Sequence, residues 1–417
     1  MVSPNPWMVL PFVLLLLSLA VCPAFAPKWW ARHYAKSALG LGAVTLVYEL
    51  VALRNFAGVE RVACEYVSFI VLTVALFVVS GGIHIVVKGR ATAATNTAFL
   101  LVGAVLANVL GTTGAALLLI RPWLRVNRDR ARGYHVAFFI FLVANIGGCL
   151  TPIGDPPLFL GYLQGVPFWW VAVHCWPIWA TAMGLLLAVF YILDRRHDPH
   201  AATATAGDER WTFKGLWNLF FLAVVVAAVF VQKPLFLREA VMAAAALSSF
   251  FLTRRYFQHV HQKNEFDFHP ALEMGVLFAG IFATMMPALD WLRLHAGDAL
   301  GHRLSPAMLF WSAGGVSAVL DNAPTYLGFL NALSGAARAK DISQLLLENA
   351  PGVLAISVAA VFFGAVTYIG NGPNFFVKAV ADRRKVPTPS FIGYVLQFAL
   401  PVLAPVFVMI WWLFFSG

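Results

Sequence analysis

The chain has 417 residues, 60% of them hydrophobic and only 12% charged, where a soluble domain carries about 25% charged residues. That balance excludes an ordinary soluble domain and predicts a polytopic integral membrane protein; a bacterial inner membrane is the expected location. The net charge of +10 does not point to nucleic acid, because the basic residues stand in short blocks between apolar runs, as in cytoplasmic loops facing anionic lipid.

Apolar runs fall at roughly 7–22, 37–53, 62–87, 97–120, 134–150, 168–193, 213–231, 236–253, 271–289, 306–336, 350–369 and 390–415. The first, from Trp7, has no positively charged start and reads as a spanning helix rather than a signal peptide. The positive-inside rule places Lys28, Arg32 and Lys36 in the cytoplasm, together with Lys88 and Arg90 and the block Arg121, Arg125, Arg128, Arg130 and Arg132. Both flanks of the 97–120 run then lie on one side, so it enters and returns as a re-entrant hairpin. Its tip falls at Asn108-Val-Leu-Gly111-Thr112-Thr113-Gly114.

From Gly133 to Asp194 there is no Lys or Arg, and Arg195, Arg196, Arg210 and Lys214 follow. This fits one crossing outward, a turn near Gly165 and one crossing back. Arg254, Arg255 and Lys263 are placed inside, as are Lys378, Arg383, Arg384 and Lys385, whereas Arg338 and Lys340 are left outside. The run 306–336, with Asp321-Asn322-Ala-Pro324-Thr325, becomes a second hairpin entered from the outside.

The expected fold is therefore all-α, with two inverted repeats at 1–200 and 201–417 and both termini outside. Each repeat holds about five transmembrane helices and a re-entrant hairpin, at about 97–120 and 306–336. Each also holds a broken helix, at about 134–165 and 350–382. Inverted repeats with discontinuous helices are the architecture of alternating-access transporters.

The broken helices carry one pattern twice. Thr151-Pro-Ile-Gly154-Asp155-Pro-Pro157 and Thr367-Tyr-Ile-Gly370-Asn371-Gly-Pro373 share T-x-I-G-[D/N]-x-P at a separation of 216 residues. Gly and Pro stop a helix, and the freed carbonyls around Thr151 and Gly154 could coordinate a cation. An ionisable side chain at this depth marks function by default. Asp155 can be neutralised by a proton or by a sodium ion, which is the physical basis of exchange. The plain alternative is that it caps the helix starting at Pro156.

Asp321 is the second acid. Asp321, Asn322, Pro324 and Thr325 either satisfy a tight turn or face the cavity as oxygen ligands for a hard cation such as Na⁺. Asn371 keeps an oxygen ligand without a titratable proton, with Asn374 nearby, while Asn108, Thr112 and Thr113 make the first hairpin polar but uncharged.

Other candidates carry less. Glu49 and Glu65 could relay protons or be held by scaffold helices. His84 reads as interfacial, and His259, His261, Asp267 and His269 as a solvated charged loop. Cys22, Cys64, Cys149 and Cys175 lack disulfide or zinc spacing and read as small core residues. No metalloprotease, esterase or phosphate-loop motif is present, which argues against an enzyme or an ATP-driven pump, and no resident cofactor is expected.

Asn145-Ile-Gly-Gly-Cys-Leu-Thr151-Pro-Ile-Gly-Asp155 resembles the signature of NhaD-type sodium/proton antiporters, and Ser317-Ala-Val-Leu-Asp321-Asn322-Ala-Pro324 resembles their Asp-Asn-Val-Pro hairpin. These belong to the ion transporter superfamily, with the citrate, dicarboxylate and arsenite carriers. The resemblance implies a homodimer built on scaffold helices and an elevator-like transport domain. It also implies ion binding by Asp155 and Asp321, with Asn145, Thr151, Asn322, Thr325 and Asn371 nearby. Two departures leave room for a citrate-carrier-like relative: Pro156-Pro157 follows Asp155, where the antiporters tend to have Val-Thr-Thr, and the first hairpin carries no acid. The leading expectation is a sodium/proton antiporter, and the alternative is a cation- or proton-coupled carrier of citrate or another carboxylate.

Overall fold

In hydrocarbon every backbone amide must be satisfied within its own segment, and helices achieve this. The computed structural model describes residues 4–87, 92–128, 130–197, 211–231, 233–300 and 304–416. The first half contains α1 (Leu10–Phe25), α2 (Pro27–Val47), α3 (Phe56–Gly81), β1 (His84–Val87), α4 (Ala93–Val126), α5 (Gly133–Leu142), α6 (Pro156–Leu163) and α7 (Phe168–His197). The second contains β2 (Trp211–Lys214), α8 (Asn218–Ala228), α9 (Leu237–Tyr256), α10 (Gln258–Lys263), α11 (His269–Leu300), α12 (Pro306–Ser317) and α13 (Asn322–Ala336), followed by α14 (Ile342–Phe363), α15 (Gly372–Arg383), α16 (Phe391–Tyr394) and α17 (Ala404–Phe414). Among the described residues nine helical segments are long and apolar enough to cross a membrane. The protein is an all-α polytopic membrane protein.

α4 is not a straight rod. Asn96 and Asn127 exchange side-chain hydrogen bonds of 2.8 and 3.1 Å, yet 31 residues of straight helix would separate them by about 46 Å. The chain reverses at Gly111, whose φ of 72° and ψ of 155° lie in a region open to glycine almost alone. Gly111→Ala is expected to cost about 1–3 kcal/mol, read as a lower thermal unfolding midpoint of the purified protein in detergent. An unchanged midpoint would mean that the tip re-forms without strain. Farther along, α12 and α13 pack on one another and are joined by Ala318-Val-Leu-Asp321, which makes a second hairpin.

Several details differ from the expectation. α2 starts at Pro27, so Lys28, Arg32 and Lys36 ride on its first turns rather than in a loop. α4 continues to Val126 and takes in Arg121 and Arg125. The ends of two apolar runs are strands: β1 and β2 pair antiparallel, His84 opposite Lys214. Gly81-Gly82 ends α3, and the Ile and Val residues that follow, like Trp211, Thr212 and Phe213 of β2, favour an extended backbone. His84 is buried, with Nδ1 2.6 Å from Asn264 Oδ1. Burial holds its imidazole below the usual histidine range.

His261 is half-buried on α10 and stacks on Phe250 and Phe266 instead of facing water. The four cysteines are free. Lys88, Arg90 and Arg210 lie outside the described residues.

Candidate functional site

Both broken helices stop for the same local reason, and they fold alike. Thr151 Oγ1 donates to the Asn108 carbonyl at 2.6 Å and accepts the Gly154 N–H at 3.1 Å. Thr367 Oγ1 donates to the Ala318 carbonyl at 2.7 Å and accepts the Gly370 N–H at 3.1 Å. Each threonine thus ties its break to the hairpin of its own half. Glycine is required by close approach: a Cβ on Gly154 would sit 2.0 Å from the Gly148 carbonyl oxygen, and one on Gly370 2.6 Å from that of Gly364.

The breaks bring Asp155 to the middle of the molecule, where it is 1% exposed. It occupies the N-cap position of α6, but its side chain accepts no hydrogen bond from that helix. The carboxylate is turned inward instead. Oδ1 accepts from Thr112 Oγ1 at 2.7 Å and from Asn371 Nδ2 at 3.1 Å, and Oδ2 accepts from Asn322 Nδ2 at 2.6 Å. The three donors come from the first hairpin, the second broken helix and the second hairpin. α6, α13, α15 and the second arm of α4 all begin at this point, so four partially positive helix ends surround one negative charge.

Asn322 Oδ1 is buried and has no hydrogen-bond partner. An orphaned amide oxygen next to a buried carboxylate is the donor set a hard cation would use. No Lys or Arg contacts that carboxylate among the described residues, and those residues hold no cluster of three or more His, Cys, Asp or Glu. A site here would bind a hard ion through one carboxylate, amides and hydroxyls rather than a transition metal.

The remaining candidates form a frame around this centre. Asn145 Nδ2 donates to Asn374 Oδ1 at 2.7 Å, and Asn371 Nδ2 reaches Asn145 Oδ1 at 3.2 Å. Asn374 in turn holds the carbonyls of Gly364 and Thr367 at 2.7 and 2.9 Å. Asn108 sits before the hairpin tip, donates to the Gly147 carbonyl at 2.7 Å and accepts the Leu150 N–H at 2.9 Å, so it braces the first break without touching Asp155.

The carbonyls expected to be free are engaged. That of Gly154 accepts Thr112 N–H at 2.8 Å, and that of Thr151 accepts Gly154 N–H at 2.9 Å, because the breaks fold back on themselves and on the hairpins. Asp321 Oδ1 caps α13 through the Ala323 N–H at 3.0 Å, Thr325 Oγ1 donates to the Asp321 carbonyl at 2.9 Å, and Pro324 is buried in the first turn. Asp321 faces Asp155 by charge, without a hydrogen bond between them. Thr113 lines a cavity of about 30 Å³ with Thr112, Gly154 and Asp155.

Glu49 and Glu65 bond elsewhere, to Asn55 at 2.9 Å and Gln164 at 3.1 Å. A second buried polar cluster gave no sequence signal. Asp194, fully buried at the end of α7, accepts from Tyr134 Oη at 2.8 Å, Asn96 Nδ2 at 2.9 Å and the Arg130 guanidinium. His135 Nε2 lies 3.2 Å from the same carboxylate. This network fastens both arms of the first hairpin to α5 and α7. Beside Arg195-Arg196, Asp194 looks like a solvated helix end, and its partners lie on other elements.

A protein-family model described as "Putative citrate transport" matches residues 2–415. No curated protein matches the chain.

Proposed function

The chain belongs to this citrate-transport family, as a small-molecule carrier in a lipid bilayer, and we propose that it moves citrate or another small carboxylate coupled to Na⁺ or H⁺ at Asp155. The observation that carries the reading is the convergence on Asp155 of donors from both hairpins and the opposite broken helix, beside an orphaned amide oxygen. A proton or cation on Asp155 removes the repulsion a carboxylate cargo would meet, and the surrounding helix N-termini and amide donors then favour that cargo. Coupling follows from that order of binding.

The resemblance extends the proposal to a homodimer with elevator-type alternating access, and the positive-inside count supports both termini outside, in a bacterial inner membrane.

Sodium/proton antiport is the second reading. It is favoured by the small size of the cavity beside Asp155 and by the absence of any Lys or Arg contact to the carboxylate among the described residues. Labelled citrate and dicarboxylate uptake into proteoliposomes, under imposed Na⁺ or H⁺ gradients, separates the two readings. Gradient-dependent uptake supports the carboxylate carrier. Proton movement driven by Na⁺ or Li⁺, with no carboxylate uptake, would replace it with the antiporter.

A further inference from the structure

At the ends of the two helical arms that diverge from the Asp155 centre, cations outnumber acids among the described residues. Arg121 lies on the second arm of α4 and its side chain is 7% exposed. Burying a guanidinium costs several kcal/mol unless it is well paired. Its ionic partner is Glu265 at 3.6 Å, too long for a hydrogen bond, on a side chain that is 58% exposed and therefore screened by water. Arg121 Nε is buried and has no hydrogen-bond partner.

More positive charge surrounds it. Arg383 and Arg384, at the end of α15, lie close enough to repel Arg121, and Arg384 also acts on Arg125. The neighbouring acid, Asp382, is already held by Lys378 at 2.6 Å and by Thr388. Arg125 continues the field toward Lys214 and Lys263, which act with it on His84. Cations in the last turn of a helix are stabilised by its dipole. That accounts for Arg125 and Arg383, but not for a buried arginine a turn further in with an unused N–H.

We propose that Arg121, Arg125, Arg383 and Arg384 form a binding site for a small polyanion carrying carboxylate or phosphate groups, separate from the Asp155 centre. Planar guanidinium forks match the paired oxygens of both groups. The second arm of α4 and α15 run from the centre to this cluster, about 14–18 Å at 1.5 Å per residue. A soluble polycarboxylate held there would wait one helix length from the transport centre, and an anionic lipid headgroup would fix that end of both arms. The proposal stands whether the cargo is a carboxylate or a cation.

The test uses delipidated, purified full-length protein titrated by calorimetry with citrate and, separately, with cardiolipin in neutral detergent. Wild type is expected to bind at least one probe. Arg383→Gln/Arg384→Gln, at two exposed positions that leave the core intact, is expected to weaken that binding at least tenfold. The binding component it loses is expected to persist in Asp155→Asn. Citrate binding alone assigns a soluble carboxylate, and cardiolipin binding alone assigns a lipid headgroup. The proposal is overturned if neither probe binds, if the double variant binds both as wild type does, or if Asp155→Asn removes the same component.

Discussion

Asp155→Asn is expected to lower gradient-driven uptake about 100-fold, the kinetic equivalent of about 2.7 kcal/mol, while leaving the protein folded. The two halves of that expectation have separate causes. The fold survives because an asparagine has the same shape, keeps one acceptor oxygen toward Thr112 and Asn371, and presents its NH₂ where Oδ2 stood. Asn322 can then rotate its amide and receive that NH₂ on the oxygen that has no partner in the wild type. Transport is lost because, among the described residues, no other titratable group hydrogen-bonds at the centre: Thr112, Asn322 and Asn371 are all neutral.

The measurement is citrate uptake and citrate counterflow in proteoliposomes, with the unfolding midpoint as the control for folding. Wild-type uptake with wild-type gradient dependence in the variant would remove Asp155 from the coupling mechanism. Asn371→Asp tests the same asymmetry from the other side. It sets a second carboxylate about where Nδ2 now lies, 3.1 Å from Asp155 Oδ1. Two like charges at that range cannot both stay ionised without a cation, so uptake is expected to become dependent on higher Na⁺ or lower pH.

The breaks are legible in the sequence because their causes are local. Gly111, Gly154, Pro156, Gly370 and Pro373 stand where the helices break, clustered with Thr, Asp and Asn, and the polar residues beside them must then be satisfied. What those residues bond to is not local. Asp155 as cap or as inward-facing carboxylate reads identically in the sequence, and three side chains from distant segments turn it inward. Asp321, likewise an acid just ahead of a proline-containing helix start, caps its own helix with its carboxylate. The β1–β2 pair was hidden because its residues also suit the apolar ends of spanning helices. Arg121 and Asp194 were hidden by charged neighbours: each sits in a basic stretch that looks solvated, and each is buried.

Asp194→Ala is expected to destabilise the protein by about 3–5 kcal/mol, the cost of removing one partner from a buried ion pair. The carboxylate is fully buried and is the common acceptor of Arg130, Tyr134 and Asn96, with His135 Nε2 3.2 Å away. His135 Nδ1 accepts the Arg132 N–H at 3.1 Å, so in the neutral ring the proton sits on Nε2, 3.2 Å from the Asp194 carboxylate. Asp194→Asn is expected to fall between wild type and alanine, since it keeps an acceptor for Tyr134 or Asn96 but loses the charge that balances Arg130. Unfolding free energies in mixed micelles give the ranking, and an alanine variant within about 1 kcal/mol of wild type would show that the cluster is not a fastening. The effect should reach the centre too, because Asn96 and Asn127 close the base of the same hairpin whose tip carries Thr112. A base that loosens lets the Thr112 hydroxyl leave Asp155, so the alanine variant should lose coupling at temperatures where it is still folded.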